Sequence, residues 1–193
     1  MGSRSHKQEI ACQQVLVEDS SVFSIQWSVF PDALASVLTP RLLLERYLAY
    51  IKATTIRIIT PTTTPDGIEF RLLTSGISLI SFLQPAEEPD AITLRICGGL
   101  LVQRDQCHRG ELRFSVARQP DGVRVTMQLS DYCPLILGSE NPSRLRRWLY
   151  RLTQAAIHRL VTVRFLALLY RDLAGSSCHV RIVNVHVREG HPT

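Results

Sequence analysis

Cys107, His108 and Arg109 set a thiol, an imidazole and a guanidinium side by side, the groups a nucleophile and its base would need. Neighbours in an extended segment point to opposite sides, so the triplet makes no nucleophile–base pair by itself. Cys178, His179, His186 and His191 supply metal-binding side chains near the C-terminus. Their spacings match no zinc pattern, and a tail or edge strand accounts for them better. His158 stands between Ile157 and Arg159 in a helical stretch and reads as a core-edge histidine ahead of a general base. No GxGxxG or GxxxxGKS/T loop is present to cradle a phosphate, and neither GxSxG nor HExxH occurs. These absences argue against the commonest nucleotide-dependent and hydrolytic enzymes. The residues designate no catalytic group, cofactor or metal.

Arginine is the other abundant chemistry. Of 22 basic residues, 20 are arginine, and seven of these (144, 146, 147, 151, 159, 164 and 171) fall between positions 141 and 175. The one acid there is Asp172, so that segment accounts for the net charge of +5 and the remainder is close to neutral. Arg144, Arg147 and Arg151 recur at steps of three and four, which places them on one helix face. They could meet lipid headgroups, phosphates or an acidic protein surface. The plainer alternative is a solvated face whose arginine stems cover apolar neighbours. Only Trp148 and Tyr150 interleave with them, too few aromatics for base stacking, which argues against a nucleic-acid partner.

The element carrying these arginines is a long helix expected over Asn141 to Gly175. Asn141 offers an N-cap and Pro142 a preset first helical residue, while Gly175 tolerates a left-handed stop. Leu145, Trp148, Leu149, Leu152, Ala156, Leu160, Val163, Ala167 and Tyr170 give it an apolar stripe. At 1.5 Å per residue the helix would run about 50 Å, so it must lie across something broad.

Upstream, the period is mostly two. Val22 to Phe30 alternates as a half-buried strand, with Val22, Ser24, Gln26 and Ser28 on one face and Phe23, Ile25, Trp27 and Val29 on the other. Ala11 to Val17 forms a partner strand. Two short helices follow, Ala33 to Leu38 and then Arg41 to Lys52 with Thr39 as N-cap before Pro40. Thr54–Thr60, Ile68–Leu73, Ile77–Leu83, Ala91–Leu101, Gly110–Ala117 and Val123–Asp131 read as a meander of strands joined by turn residues. Leu112, Phe114 and Val116 share a covered face with Val123, Val125, Met127 and Leu129; Arg113, Ser115, Arg118, Arg124, Thr126 and Gln128 occupy the wet one. Gly98-Gly99 marks a bulge or kink.

With 193 residues, 45% of them hydrophobic, the chain suits one globular domain. Residues 1–10 read as a disordered or tag-like start, 11–175 as the domain, and 176–193 as a tail in which Val180, Ile182, Val183, Val185 and Val187 offer an extra strand. No stretch reaches the roughly 18 apolar residues a membrane span needs. The polar N-terminus and five cysteines without a CxxC pair suggest reduced thiols in a cytoplasmic protein.

A strand, two short helices, an antiparallel meander and a long closing helix resemble the START-like, helix-grip superfamily with its birch-pollen-allergen-like, polyketide cyclase and coenzyme Q-binding branches. Arg109-Gly110-Glu111-Leu112-Arg113-Phe114 resembles its entry into the penultimate strand. Pro120-Asp121-Gly122-Val123-Arg124-Val125-Thr126 is similar to its last hairpin, and Tyr132-Cys133-Pro134 to the loop before the helix. The resemblance covers residues 22–175 and implies an α+β fold in which a curved antiparallel sheet wraps the long helix. It further implies a cavity beneath that helix, with Phe70, Leu72, Leu79, Phe114, Met127, Leu149, Leu152, Ala156 and Leu160 as candidate lining or, alternatively, as core. Three functions follow as expectations: a binding or carrier protein for a hydrophobic small molecule or lipid, docking through its arginines to an anionic membrane or acidic partner; a cyclase- or aromatase-like enzyme, which needs an acid or histidine on the cavity wall; or an interaction protein using the basic helix on RNA or a protein partner.

Overall fold

The computed structural model describes residues 7–73, 75–103, 109–137, 156–175 and 179–192. Among them are eleven strands in one mixed sheet and two α-helices, an α+β arrangement. The strands are β1 (Lys7–Leu16), β2 (Val22–Phe30), β3 (Ile59–Thr64), β4 (Gly67–Leu72), β5 (Ser78–Leu83), β6 (Ala86–Glu87), β7 (Ala91–Gly98), β8 (Glu111–Gln119), β9 (Gly122–Tyr132), β10 (His179–Asn184) and β11 (His191–Pro192). The helices are α1 (Pro40–Thr54) and α2 (Ala156–Ala174). Across the sheet the order is β10-β1-β2-β9-β8-β7-β5-β4-β3, with β11 also on β1 and β6 on β7. All pairings are antiparallel except β1 with β10.

The meander forms where alternation and turn residues coincide. β8 and β9 pair from Glu111 opposite Ser130 to Gln119 opposite Gly122, so Phe114 faces Met127 and Leu112 faces Leu129. Those four side chains are buried, as the alternation requires. β7 stops at Gly98; Gly99 has φ +118° and its α-carbon abuts the β5 backbone, where a Cβ would meet Leu79 O at 2.4 Å. The β5–β7 register shifts nearby, between Ser81 and Phe82.

Three local expectations give way. The first short helix is a single 3-10 turn, Asp32–Leu34, because a six-residue segment ending before Pro40 cannot repay helix nucleation. The strand expected over Thr54–Thr60 instead begins at Ile59, since α1 runs on to Thr54 and the chain reverses through left-handed Ile56 and Arg57 (φ 51° and 62°). The N-terminal strand starts at Lys7, earlier than Ala11, because the tail strand β10 pairs with it from Lys7 opposite His179 to Cys12 opposite Asn184.

Both helices cover one face of the sheet. Leu43, Leu44, Tyr47 and Ile51 of α1 join Val163, Phe165, Leu166, Leu169 and Tyr170 of α2 in a core shared with Phe30, Phe114 and Met127. Thr39 caps α1 as expected: its Oγ1 accepts from the Leu42 N–H at 3.1 Å. Thr39→Ala should lower stability by about 1 kcal/mol, read as a shift in the urea midpoint. The first half of the expected long helix, Asn141 to Ala155, lies outside the described residues. Its end is as expected, with Gly175 at φ +65° donating to Arg171 O at 3.1 Å. The buried side of α2 keeps Val163 and Tyr170 of the expected stripe but is otherwise turned from it: Leu160 is 50% exposed, whereas Phe165, Leu166 and Leu169 are buried. Apolar residues on every side of this segment leave periodicity unable to choose a face.

On β2 the inward face is the polar one. Ser24, Gln26 and Ser28 lie opposite Leu129, Met127 and Val125 on the helix side and are almost fully buried. Phe23 and Ile25 point to the other face, where they cluster with Val15. The guanidinium of Arg124 covers Trp27 at 4.1 Å, and that of Arg188 covers Phe23 at 5.3 Å.

Candidate functional site

An apolar cavity of about 320 Å³ lies between the two helices and the sheet. α1 contributes Tyr47 and Ile51, one helical turn apart, and Thr55 follows at its cap. Strands β3 to β9 contribute Ile59, Phe70, Ile80, Phe82, Ile96, Leu112, Leu129 and Tyr132, with Leu101 closing the β7 side. α2 presents His158 and Val161, three residues apart and therefore on one face. Phe70 and Phe82 pack edge to face at 5.4 Å between centroids.

Polar atoms in this wall are mostly engaged with backbone. The Tyr132 hydroxyl donates to Leu101 O at 2.9 Å, and Thr55 Oγ1 donates to Ile51 O at 2.8 Å. Burial pushes the Tyr47 phenol well above its usual range, so it stays protonated. His158 differs: its ring makes no hydrogen bond to any described residue, although its backbone carbonyl accepts from Thr162 Oγ1 at 3.0 Å. Burial lowers its pKa to about 4, so the ring is neutral at pH 7 and keeps one donor and one acceptor nitrogen.

This carries a stability signature. The unfolded chain holds an ordinary histidine titrating near 6.5, so between that pH and about 4 the unfolded state binds the extra proton. Stability is whole above the unfolded value and falls as pH drops through the window, by about 2–3 kcal/mol. His158→Gln should flatten that share of the decline, measured as the difference in urea midpoint between pH 7 and pH 4.5.

Of the nine residues expected to line a cavity, Phe70 does so. Phe114 and, opposite it, Met127 are fully buried core; the Tyr47 ring packs on Phe114 at a tilt, 5.3 Å between centroids. Leu72 and Leu79 are half-buried, Leu79 on the opposite side of β5 from Ile80. Leu160 faces outward and half-exposed, on the far side of α2 from the buried stripe. Ala156 starts α2, and Leu149, Leu152, Arg144, Arg147 and Arg151 lie outside the described residues. Part of the remaining lining follows local pattern: Tyr47 and Ile51, four residues apart, share one face of α1, and alternation puts Ile80 and Phe82 on one side of β5.

The other candidate groups are scattered. Cys107 and His108 lie outside the described residues, and Arg109 forms an ion pair with Asp19. Burial raises the Asp19 carboxyl, but hydrogen bonds from Ser21 and Arg109 outweigh it and hold the group at about 2. His186 pairs with Glu189 at 3.1 Å on the surface, away from His179 in β10. Among the described residues no three His, Cys, Asp or Glu side chains gather as metal ligands, and no helix is long and apolar enough to cross a membrane.

No family model and no curated protein matches this chain. Among solved structures it is similar to CalU16 from Micromonospora echinospora, in solution and in the crystal. Identity is 14% over 89% of this chain and 78% of the solution chain, and 15% over 86% and 85% for the crystal chain. The TM-score is 0.40 in both cases, a likeness too distant to carry any conclusion.

Proposed function

We propose that the chain is a binding or carrier protein for a hydrophobic small molecule held between the sheet and the helices. The observation that carries this is the apolar cavity with a single unengaged imidazole, His158, on its wall. Apolar pockets with few convergent polar groups are the usual form of a small-molecule site. At about 320 Å³ the space is at the small end for such sites, which favours a compact one- or two-ring or short-chain ligand over a multi-chain lipid. Desolvation supplies the affinity and His158 orients one hydroxyl or carbonyl group of the ligand. The order of elements supports a START-like, helix-grip relationship. Docking of Arg144, Arg147 and Arg151 on an anionic membrane or acidic partner belongs to the same proposal.

A cyclase- or aromatase-like enzyme is the second reading, favoured by one feature: the cavity wall does hold an ionisable side chain that is neutral and able to accept a proton. Native mass spectrometry after mild purification tests the carrier reading. Co-purification of one small apolar molecule per chain supports it; a ligand-free protein that also fails to take up added naphthalene-type probes contradicts it. His158→Gln divides the two readings, since a carrier keeps binding apolar probes whereas an enzyme loses turnover of its substrate.

A further inference from the structure

We infer that the chain has a second, polar ligand site, at the edge of the sheet beside β1, which takes a small hydroxylated carboxylate. It is separate from the apolar cavity and does not depend on the function proposed for it.

The site exists because the tail leaves a gap along β1. β10 pairs with β1 as far as Cys12, and β11 resumes the pairing at Val15. Between them the chain from His186 to Glu189 leaves β1, tied down by Gln13, whose Oε1 accepts from Val187 N at 2.7 Å and Arg188 N at 2.9 Å. Behind this loop is a pocket of about 300 Å³, whose wall includes Cys12, Gln26, Arg159 and Asn184. Space for several waters is therefore present, in a setting rich in polar atoms.

Two side chains in that wall point to a ligand. Gln26 is 1% exposed; its Nε2 donates to Ser24 Oγ at 2.7 Å, and its Oε1 has no hydrogen-bond partner among the described residues. A buried amide oxygen left unpaired costs about 1–3 kcal/mol, a burden that a donor in the pocket removes. Arg159 reaches the same pocket from α2. One nitrogen, Nη2, donates to Asn184 Oδ1 at 2.9 Å, and no carboxylate lies within ion-pair distance among the described residues. A guanidinium has five N–H groups in a planar fork suited to a carboxylate, so contacts with Asn184 and the Cys12 thiol still leave much of its capacity. An occupant that satisfies both therefore needs an anionic end for Arg159 and a hydroxyl donor for Gln26 Oε1.

The test uses L-lactate as probe, with propionate (no hydroxyl) and glycerol (no carboxylate) as controls, followed by side-chain amide NMR of the full chain. Saturable shifts of the Gln26 and Asn184 side-chain amides with lactate, at least tenfold weaker with either control, are expected, and the Asn184 amide reports on the Gln26 variant. Arg159→Gln and Gln26→Met should each abolish them, Arg159→Lys should weaken them, and none should alter uptake of N-phenyl-1-naphthylamine by the apolar cavity. That last readout shows each variant folded and keeps the two sites distinguishable. Absence of saturable shifts, equal response to all three probes, or lactate binding unchanged in both Arg159→Gln and Gln26→Met would overturn the inference.

Discussion

Phe114→Ala should cost about 3–5 kcal/mol of stability, the range for emptying a fully buried aromatic site. Phe114 is completely buried on β8 opposite Met127. Its ring packs on Tyr47 of α1 at 5.3 Å, and Tyr47 in turn meets Phe165 of α2 edge-on at 5.3 Å. One side chain thus supports both helices on the sheet, and the surroundings cannot collapse into its space without moving two elements. Leu160→Ala is the matched control. Half of that side chain is already in water, so its removal should cost under about 1 kcal/mol. Urea midpoints at constant m-value report both.

Val161→Trp should reduce binding of an apolar ligand by on the order of a hundredfold, roughly 2.7 kcal/mol, while leaving the fold intact. Val161 shares the cavity wall with His158 and is only partly buried, so an indole there extends into open volume and not into packed core. A large loss of binding with an unchanged urea midpoint would locate the ligand. A variant that binds as tightly as the parent chain places it elsewhere.

The parts of this fold that sequence reveals are those set by short-range chemistry. Alternation from Glu111 to Tyr132, with a tight turn at Pro120-Asp121, determines both the pairing and the buried face of β8 and β9. Thr39 before Pro40 and Gly175 after Ala174 mark helix ends through caps that need no tertiary context. Other parts depend on distant partners. β1 gains its parallel neighbour β10 from residues more than 160 positions away, so neither the early start at Lys7 nor the order of strands at that edge is encoded locally. On the inward polar side of β2, Ser28 Oγ donates to the Glu9 carbonyl at 2.8 Å, and Gln8 Nε2 of β1 reaches Ser28 Oγ and the Leu166 carbonyl at 3.2 Å each, bonds to partners distant in sequence. Alternation reports two faces without saying which is covered.

The candidate site was legible to a similar degree. A cavity beneath the long helix was an implication of the family resemblance alone, which put Phe70 on its wall, where it stands. His158 was not placed there, because α2 is apolar on nearly all sides and its rotation is set by Leu166 and Leu169 packing on the sheet. A residue read as core-edge is thereby turned onto the cavity wall beside Tyr47 and Tyr132. The left-handed pair Ile56-Arg57, which lets β3 close that wall, is equally hidden, since a β-branched residue at positive φ is disfavoured on local grounds.

The most direct measurement is a fluorescence titration of the full chain with N-phenyl-1-naphthylamine, an uncharged two-ring probe, run beside Val161→Trp. A saturable one-to-one enhancement in the parent protein, lost in the variant while its stability holds, is the expected result. No enhancement in the parent protein, or the same enhancement in both, would contradict a ligand site between the helices and the sheet.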